Sequence, residues 1–375
     1  MNKIVLILFV CIIVAQEECT DGRYFDEIFN ITVEEEVFYG QNINETFFGG
    51  TFTESLYMDI YSPENDNFED RPLIFFMFGG SFIGGSKDSW DIVTLCENYA
   101  KMGYVAVAID YRLSLNSLFV NPNEENAYKA VLKAIHDVKA AIRYFRMNDE
   151  LENEYRIDSN RIYVGGVSAG AIAAINAAYL DDINEVPSFL IDDFNELGGF
   201  EGLSGNEGYD SSFHGIVNLC GAAGDADWIE EGDIPIVSMH GDLDDIVPYD
   251  DSLVTLFGLN IQVDGSYIIH QTMLELGNQS DLYTYFDQGH TPFSNNMDLE
   301  TEFTKSFLYD FVCASEELSG DINFDGILNI LDVVQLINFI LGEIPTDELF
   351  NISDMNGDEQ LNVQDIILLI NIILS

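Results

Sequence analysis

The segment at residues 161–180, RIYVGGVSAGAIAAINAAYL, constrains the fold of this chain more than any other. A β-rich apolar run reaches two glycines, presents one serine and continues as an alanine-rich segment of helical composition. A strand that turns directly into a helix through G-x-S-x-G holds its serine in a strained, exposed conformation above a sheet. The segment therefore predicts a strand–turn–helix unit that presents Ser168. The five-residue motif alone leaves open a tight packing turn without chemistry.

Strand-like and helix-like segments alternate from Ile31 to Asp310. SLYMDIYSP alternates apolar and polar residues, whereas PLIFFMFGG, YVAVAIDYR and RIYVGGV are continuous apolar runs typical of strands buried on both faces. Later strands are indicated by GIVNLCGA, IPIVSMHG and DLYTYFDQ. Helices are indicated near residues 90–102 and in AVLKAIHDVKAAIRYFRMND, SYIIHQTMLELG and LETEFTKSFLYDFV. The predicted fold class is α/β, with a mainly parallel sheet flanked by helices and an antiparallel start near residues 31–61.

Residues 181–213 interrupt this pattern with an acidic, glycine-rich stretch. It is long for a simple loop, so we expect a small lid or a loop that shapes the edge of a pocket.

A serine hydroxyl needs an adjacent base, which is itself oriented by a carboxylate. His290 follows the last predicted strand in FDQGHTPF and is the histidine that suits this role. The other four, His136, His214, His240 and His270, fall in helices or beside strands. The acid should lie between the serine and the histidine, where SMHGDLDDIVPYD offers Asp242, Asp244 and Asp245.

Together, GVSAG, HGDLDDIVP and GH resemble the carboxylesterase and lipase-like members of the α/β-hydrolase superfamily, over roughly residues 50–312. The resemblance implies catalysis by Ser168, Asp244 and His290, without a catalytic cofactor; Asp242 and Asp245 stay open as the acid. It also implies that FMFGGSFIGG forms an oxyanion hole. The amides of Gly80, Ser81 and Ala169 are the expected donors. Phe78 stands where many relatives carry a histidine, and Ser81 replaces a glycine.

After Cys313 a polar loop followed by an apolar helix occurs twice, with Asp321 and Asp354 in register. Oxygen-bearing side chains recur at loop positions 1, 3, 5, 9 and 12, and position 7 would use its backbone carbonyl, a spacing that suits calcium. The predicted ligands are Asp321, Asn323, Asp325, Ile327, Asn329 and Asp332 in the first loop, and Asp354, Asn356, Asp358, Gln360, Asn362 and Asp365 in the second.

This tail resembles a dockerin module, which implies two calcium ions and a cohesin-like receptor protein as partner. Gly326 matches the usual glycine at position 6, but Glu359 replaces it in the second loop, so we expect a weaker second site. The resemblance assigns receptor recognition to positions 10 and 11, which are Ile330 with Leu331 and Val363 with Gln364. A domain this short should fold only with calcium bound.

The first residues, MNKIVLILFVCIIVAQEE, predict a signal peptide over residues 1–16. An uncleaved anchor and a lipoprotein acylated at Cys11 are the alternatives. No later segment is long and apolar enough to span a membrane. The remaining organisation is a catalytic domain at 17–313 with the insert at 181–213, a linker at 314–319 and the dockerin-like domain at 320–375.

An exported chain with Cys19, Cys96, Cys220 and Cys313 permits disulfides in three connectivities. Cys96 and Cys220 lie in predicted core elements, where single buried thiols are common. We therefore expect one bridge, and predict Cys19 with Cys96.

The formal net charge of −52 argues against nucleic acid and anionic membranes as partners, because phosphates would be repelled. A neutral ester is easier to accommodate. The sequence therefore predicts a secreted serine carboxylesterase for short-chain acyl esters, with polysaccharide-linked acetyl or feruloyl esters as candidates. We expect it to be extracellular, with a cell-surface complex as one destination. A serine peptidase of the same fold and an inactive binding protein are the alternatives.

Overall fold

The computed structural model describes residues 19, 21–115, 118, 120–256, 258–293, 296–313, 320, 322–323, 328–342, 344–357 and 360–373. The predicted signal peptide, Cys11 and the linker at 314–319 lie outside the described residues. The chain divides into two compact units. One is Asp21–Val312, and the other comprises Cys19 and the described residues from Cys313 onward.

The larger unit is built on a mixed sheet with the strand order β1-β2-β4-β3-β5-β6-β8-β11. β1 pairs antiparallel with β2, and β2 pairs antiparallel with β4; the remaining neighbours in the sheet are parallel. The α/β fold class and the antiparallel start are therefore confirmed. The strands are β1 Ile31–Glu45, β2 Thr51–Pro63, β3 Arg71–Met77, β4 Val105–Ile109, β5 Ile157–Val167, β6 Ile216–Leu219, β8 Ile236–Gly241 and β11 Ser280–Tyr285.

The central strands are buried along their whole length, as the continuous apolar runs predicted. Every residue of β3 and β4 is buried, because helices cover both faces of the sheet. The helices are α1 Trp90–Lys101, α2 Glu124–Leu151, α3 Ala169–Tyr179, α4 Ile191–Leu197, α5 Ser266–Glu275 and α6 Asp298–Val312. The Asn123 side chain caps α2, and two glutamates in its first turn complement the helix dipole.

A small second sheet was not predicted from the sequence. The strands β9 Asp251–Leu256 and β10 Leu259–Gly265 form a hairpin, and β10 also pairs with β7 Ala222–Ala223. Val263 of this hairpin packs with Val247 and Ala222, and Ile172 of α3 contacts the same cluster. The hairpin was missed because its apolar residues only complete a core once they meet α3, which no local pattern reveals.

The second half of the 181–213 insert is fastened to α2. Ser204 Oγ donates to Asp137 at 2.6 Å, and Asp137 also forms a fully buried ion pair with Arg112 at 2.8 Å. His136 Nε2 donates to the carbonyl of Gly199. A buried ion pair favours one arrangement only when its remaining hydrogen-bonding atoms also have partners, and Ser204 is such a partner here. This half of the insert is therefore a fixed part of the domain.

The smaller unit contains α7 Ile330–Ile340, α8 Asp347–Ser353 and α9 Val363–Ile373. Its core joins the two repeats, because Ile322, Val333, Leu336 and Phe339 from the first meet Leu369 from the second. Each repeat alone would leave its apolar helix face exposed.

The predicted Cys19–Cys96 disulfide is wrong. Cys19 is bonded to Cys313, and Cys96 is a buried free thiol on α1. The expected burial of single thiols suggested one bridge, but the choice of partner depends on which chain segments the fold brings together. Cys96 faces the core, where burial raises the pKa of its thiol.

Candidate active site

Ser168 lies at the tight turn between β5 and α3, in the middle of the main sheet. Its backbone has φ 55° and ψ −116°, in the region of positive φ that residues other than glycine rarely adopt. A Cβ at Gly166 would lie 2.4 Å from the carbonyl carbon of Gly170, and one at Gly170 would lie 2.2 Å from the carbonyl oxygen of Met77. The two motif glycines are therefore required by close backbone approach.

Ser168, His290 and Asp244 form one continuous hydrogen-bonded array. His290 Nδ1 lies 2.6 Å from Asp244 Oδ2, and His290 Nε2 lies 2.9 Å from Ser168 Oγ. A carboxylate only accepts, so Nδ1 carries the imidazole proton and Nε2 accepts from the serine hydroxyl. The array therefore orients the imidazole to receive the serine proton.

Of the three open candidates, Asp244 is the one whose side chain bonds His290. Its side chain is fully buried, and its Oδ1 accepts from the amides of Ile246 and Val247 at 2.9 and 3.0 Å. Burial by itself would raise the pKa of Asp244, but hydrogen bonds from His240 and His290 outweigh burial and hold that pKa well below its usual range. Asp242 instead accepts from the Asp287 amide, and Asp245 is exposed.

His240 is a second histidine on Asp244, and sequence reasoning missed it. Its Nε2 lies 3.1 Å from Asp244 Oδ2 and 3.0 Å from the carbonyl oxygen of Val247. Both partners are acceptors, so Nε2 carries a proton and donates to them. Its Nδ1 lies 2.7 Å from Ser266 Oγ, which also accepts from Asn218. The H-G-x-x-D spacing, which places His240 four residues before Asp244, was the available signal.

The other three histidines lie outside the array. His136 is buried on α2, His214 Nδ1 accepts from the Ile162 amide, and His270 Nδ1 lies 2.9 Å from Ser280 Oγ.

The loop after β3 brings the predicted oxyanion donors beside the serine. Gly80 and Ser81 have φ 122° and 55°, and a Cβ at Gly79 would lie 3.2 Å from the Ser168 Cβ. Among the hydrogen bonds of the described residues, none uses the amide of Gly80 or Ser81 as its donor. Ala169 is the first residue of α3, so its amide has no partner within the helix.

Phe78 and Tyr111 brace this loop. Their rings stack with centroids 4.2 Å apart, and the Tyr111 hydroxyl donates to the carbonyl of Phe78 at 2.7 Å. The phenylalanine that replaces the family histidine is thus held by packing and by one backbone hydrogen bond.

A cavity of about 340 Å³ opens beside Ser168. Its walls come from α2, α3, the first half of the 181–213 insert and the β9–β10 hairpin, and include Phe82 and Trp228.

In the described part of the chain, Cys220, His240 and Asp244 are the His, Cys and acidic side chains whose donor atoms come close enough to hold a metal. Two of them already make hydrogen bonds, because His240 Nε2 donates a hydrogen bond to Asp244 and Asp244 also bonds His290. Burial raises the pKa of the Cys220 thiol to about 12. A thiol that stays protonated is a poor metal ligand, so we interpret these three side chains as a hydrogen-bonded cluster.

Several predicted calcium ligands lie outside the described residues, namely Asp321, Asp325, Ile327 and Asp358. Of the others, Asp332 and Asp365 are fully buried at position 12 of each loop. Asp332 accepts from the amides of Ile322 and Asn329, whereas Asp365 Oδ1 is a buried carboxylate oxygen with no hydrogen-bond partner among the described residues. An orphaned buried oxygen of this kind suits a hard cation.

The fold and the array around Ser168 define an α/β hydrolase. Residues 58–223 match the BD-FAE family model, and residues 319–374 match the Dockerin type I domain model. The chain thus carries a BD-FAE domain with an α/β-hydrolase fold and a dockerin type I domain.

Similar solved structures come from Thermogutta terrifontis. Its esterase 2 phosphorylated by paraoxon is 20% identical with a TM-score of 0.51, and the match covers 73% of this chain and 95% of that one. The butyrate-bound form of the same esterase gives 20% identity and a TM-score of 0.51, covering 72% and 94%. At this identity the likeness shows the shared fold.

Among the described residues, no helix combines the length and the apolar character that crossing a bilayer requires.

Proposed function

We propose that this chain is a secreted serine carboxylesterase in which Ser168 is the nucleophile, His290 the general base and acid, and Asp244 the residue that orients the imidazole. The observation that carries the proposal is the unbroken path of hydrogen bonds from Ser168 Oγ through His290 to the buried Asp244 carboxylate.

The proposed reaction is acyl transfer in two steps. Ser168 Oγ attacks the ester carbonyl carbon while His290 Nε2 takes its proton, and His290 then returns that proton to the leaving alcohol. Water attacks the acyl-enzyme in the same manner and releases the acid and the free serine. Asp244 stays ionised throughout, because its depressed pKa keeps it a carboxylate that stabilises the imidazolium.

The oxyanion of each tetrahedral intermediate would be bound by the amides of Gly80, Ser81 and Ala169. The first two lie in the braced loop after β3, and the third begins α3, whose helix dipole also favours negative charge there. Losing one such donor typically costs about a hundredfold to a thousandfold in rate.

We further propose that the dockerin domain binds two calcium ions and docks the enzyme onto a cohesin-like receptor. Asp332 and Asp365 would hold the ions at the last position of each loop. The buried Asp365 oxygen that no described residue bonds supports a ligand role. Ile330, Leu331 and Val363 are 65%, 58% and 61% exposed, which supports recognition at positions 10 and 11. Exposed apolar residues at the start of a helix are costly unless a partner covers them.

A dockerin-borne enzyme is expected outside the cell, in agreement with the predicted signal peptide. Ester decorations on polysaccharides, such as acetyl or feruloyl groups, are accordingly candidate substrates. The signal peptide and the identity of the receptor are tested by sequencing the N-terminus of the exported protein and by native gel shift with a cohesin.

The decisive test compares the wild type with Ser168→Ala on p-nitrophenyl esters and on a panel of peptides. We expect ester hydrolysis by the wild type, loss of at least about a thousandfold in the variant, and phosphorylation by paraoxon in the wild type alone. An active Ser168→Ala variant would refute the assignment. Hydrolysis of peptides in preference to esters would favour the peptidase alternative, and a folded but inert wild type would favour the binding-protein alternative.

A further inference from the structure

The cavity beside Ser168 has an unusual chemistry for this chain. Charged residues make up 21% of the sequence, with a formal net charge of −52. The cavity wall nevertheless contains no Asp, Glu, Lys, Arg or His among the residues that the structure describes there. An acidic protein that keeps its catalytic cavity free of charge can bind neutral apolar groups, since each buried charge would otherwise have to be desolvated or paired.

The cavity lies on the acyl side of the reacting bond. Ser81 and Ala169, which carry proposed oxyanion donors, line it together with Ser168, whereas His290 does not. The leaving alcohol must sit at His290 Nε2, because that atom returns the proton to it. The part of the substrate that enters the cavity is therefore the acyl group.

The one deeply buried amide in the wall is already saturated by the protein. Asn176 donates to the carbonyls of Ile172 and Ala222 and accepts from the amide of Gly224. The remaining surface is mainly aliphatic, with Leu132 from α2, Leu190 from the insert and Val263 from the hairpin. Because the buried amide of the wall is already hydrogen-bonded, a polar acyl group would gain little binding free energy there, whereas an apolar acyl group would gain much.

Resting on the function proposed above, we infer that the preferred substrates are esters of aliphatic acids of about six to ten carbons. The cavity volume lies at the lower end of the range for small-molecule pockets, which limits the acyl chain to about this length. The cavity of about 340 Å³ far exceeds what an acetyl methyl group fills. This departs from the short acyl chains that the sequence suggested.

The size of the effect follows from burial. Each methylene that leaves water for the cavity contributes up to about fourfold in kcat/KM, from the transfer free energy of one buried CH₂. Incomplete burial lowers this ceiling, so we expect octanoate to exceed acetate by at least about tenfold.

The experiment measures kcat/KM of the full chain on p-nitrophenyl acetate, butyrate, hexanoate, octanoate and decanoate below their micelle concentrations, with methyl ferulate alongside. Each rate is divided by that of hydroxide-catalysed hydrolysis, which removes intrinsic reactivity. The filling variant is Ala127→Phe, which places a ring in the cavity from α2, and Val131→Trp is the second should the first misfold by circular dichroism. The matched control is Glu124→Phe, which adds the same ring at an exposed position outside the cavity wall.

We expect the octanoate-to-acetate ratio to fall at least about tenfold in a filling variant and to stay at the wild-type value in Glu124→Phe. A wild-type profile that peaks at acetate, a faster reaction with methyl ferulate than with octanoate, or an unchanged ratio in a folded filling variant would each overturn the inference. All three leave the serine esterase mechanism standing, whereas the absence of Ser168-dependent hydrolysis of every ester would remove the proposed function itself.

Discussion

Replacing His240 with phenylalanine tests how far the rate depends on the residue behind Asp244. The ring of phenylalanine has nearly the same shape but removes the donor that lies 3.1 Å from Asp244 Oδ2. Asp244 keeps its bonds to His290 and to the amides of Ile246 and Val247. His240 does not line the substrate cavity, so its effect on the reacting groups passes through the carboxylate to His290. The substitution also removes the bonds of His240 to the Val247 carbonyl and to Ser266 Oγ.

The magnitude follows from the chemistry of that single bond. A hydrogen bond to a charged partner contributes about 1.5–3 kcal/mol, and about 1.4 kcal/mol corresponds to one factor of ten in rate. The ceiling is therefore a loss of about tenfold to 150-fold in kcat, reached if the whole bond serves to hold Asp244 in place. We expect kcat to fall by about tenfold while KM changes less than about threefold.

The assay is steady-state hydrolysis of p-nitrophenyl butyrate with a thermal melt of each variant. His240→Gln places an amide donor near the position of Nε2 and should recover part of the lost kcat. His270→Phe is the matched control, since it removes a histidine that bonds only Ser280 in the described contacts, away from the array. A folded His240→Phe enzyme with kcat within twofold of the wild type, or an equal loss in His270→Phe, would refute the positioning role.

Three further predictions concern stability and calcium. Burial lowers the pKa of His136 to about 4, so between pH 6.5 and pH 4 the unfolded chain binds a proton that the native state excludes. Over this pH range the wild type should lose about 3 kcal/mol of unfolding free energy relative to His136→Gln, measured by urea titration at each pH. Removing the Cys19–Cys313 disulfide by double substitution to serine should lower the free energy of unfolding by about 2–5 kcal/mol. Asp365→Ala should bind one calcium ion fewer than the wild type by isothermal titration calorimetry.

Each of these has its own control. Parallel pH curves for wild type and His136→Gln would contradict the burial argument. Reductant should destabilise the wild type and leave the double serine variant unchanged. Asn371→Ala on the exposed side of α9 should keep the wild-type calcium stoichiometry, and an Asp365→Ala variant that does so too would remove that residue from the site.

Most strands and helices of the fold could be predicted from local sequence patterns. Continuous apolar runs marked β3, β4 and β5, because strands covered on both faces need no polar side. The hairpin of β9 and β10 was missed, since its burial is partial and depends on α3 and β7. The disulfide partner was mistaken for the same kind of reason, because parity of cysteines says nothing about which segments meet.

The sequence by itself determined the turn at Ser168 and the duplicated loop-and-helix repeat of the tail, because both depend on the pattern of residues a few positions apart. Only the tertiary structure decided that Asp244 rather than Asp242 or Asp245 faces His290, that His240 supports it from behind, and that an uncharged cavity opens beside the serine. These features join residues from distant segments. Their contacts exist only after the sheet, its helices and the insert have packed together.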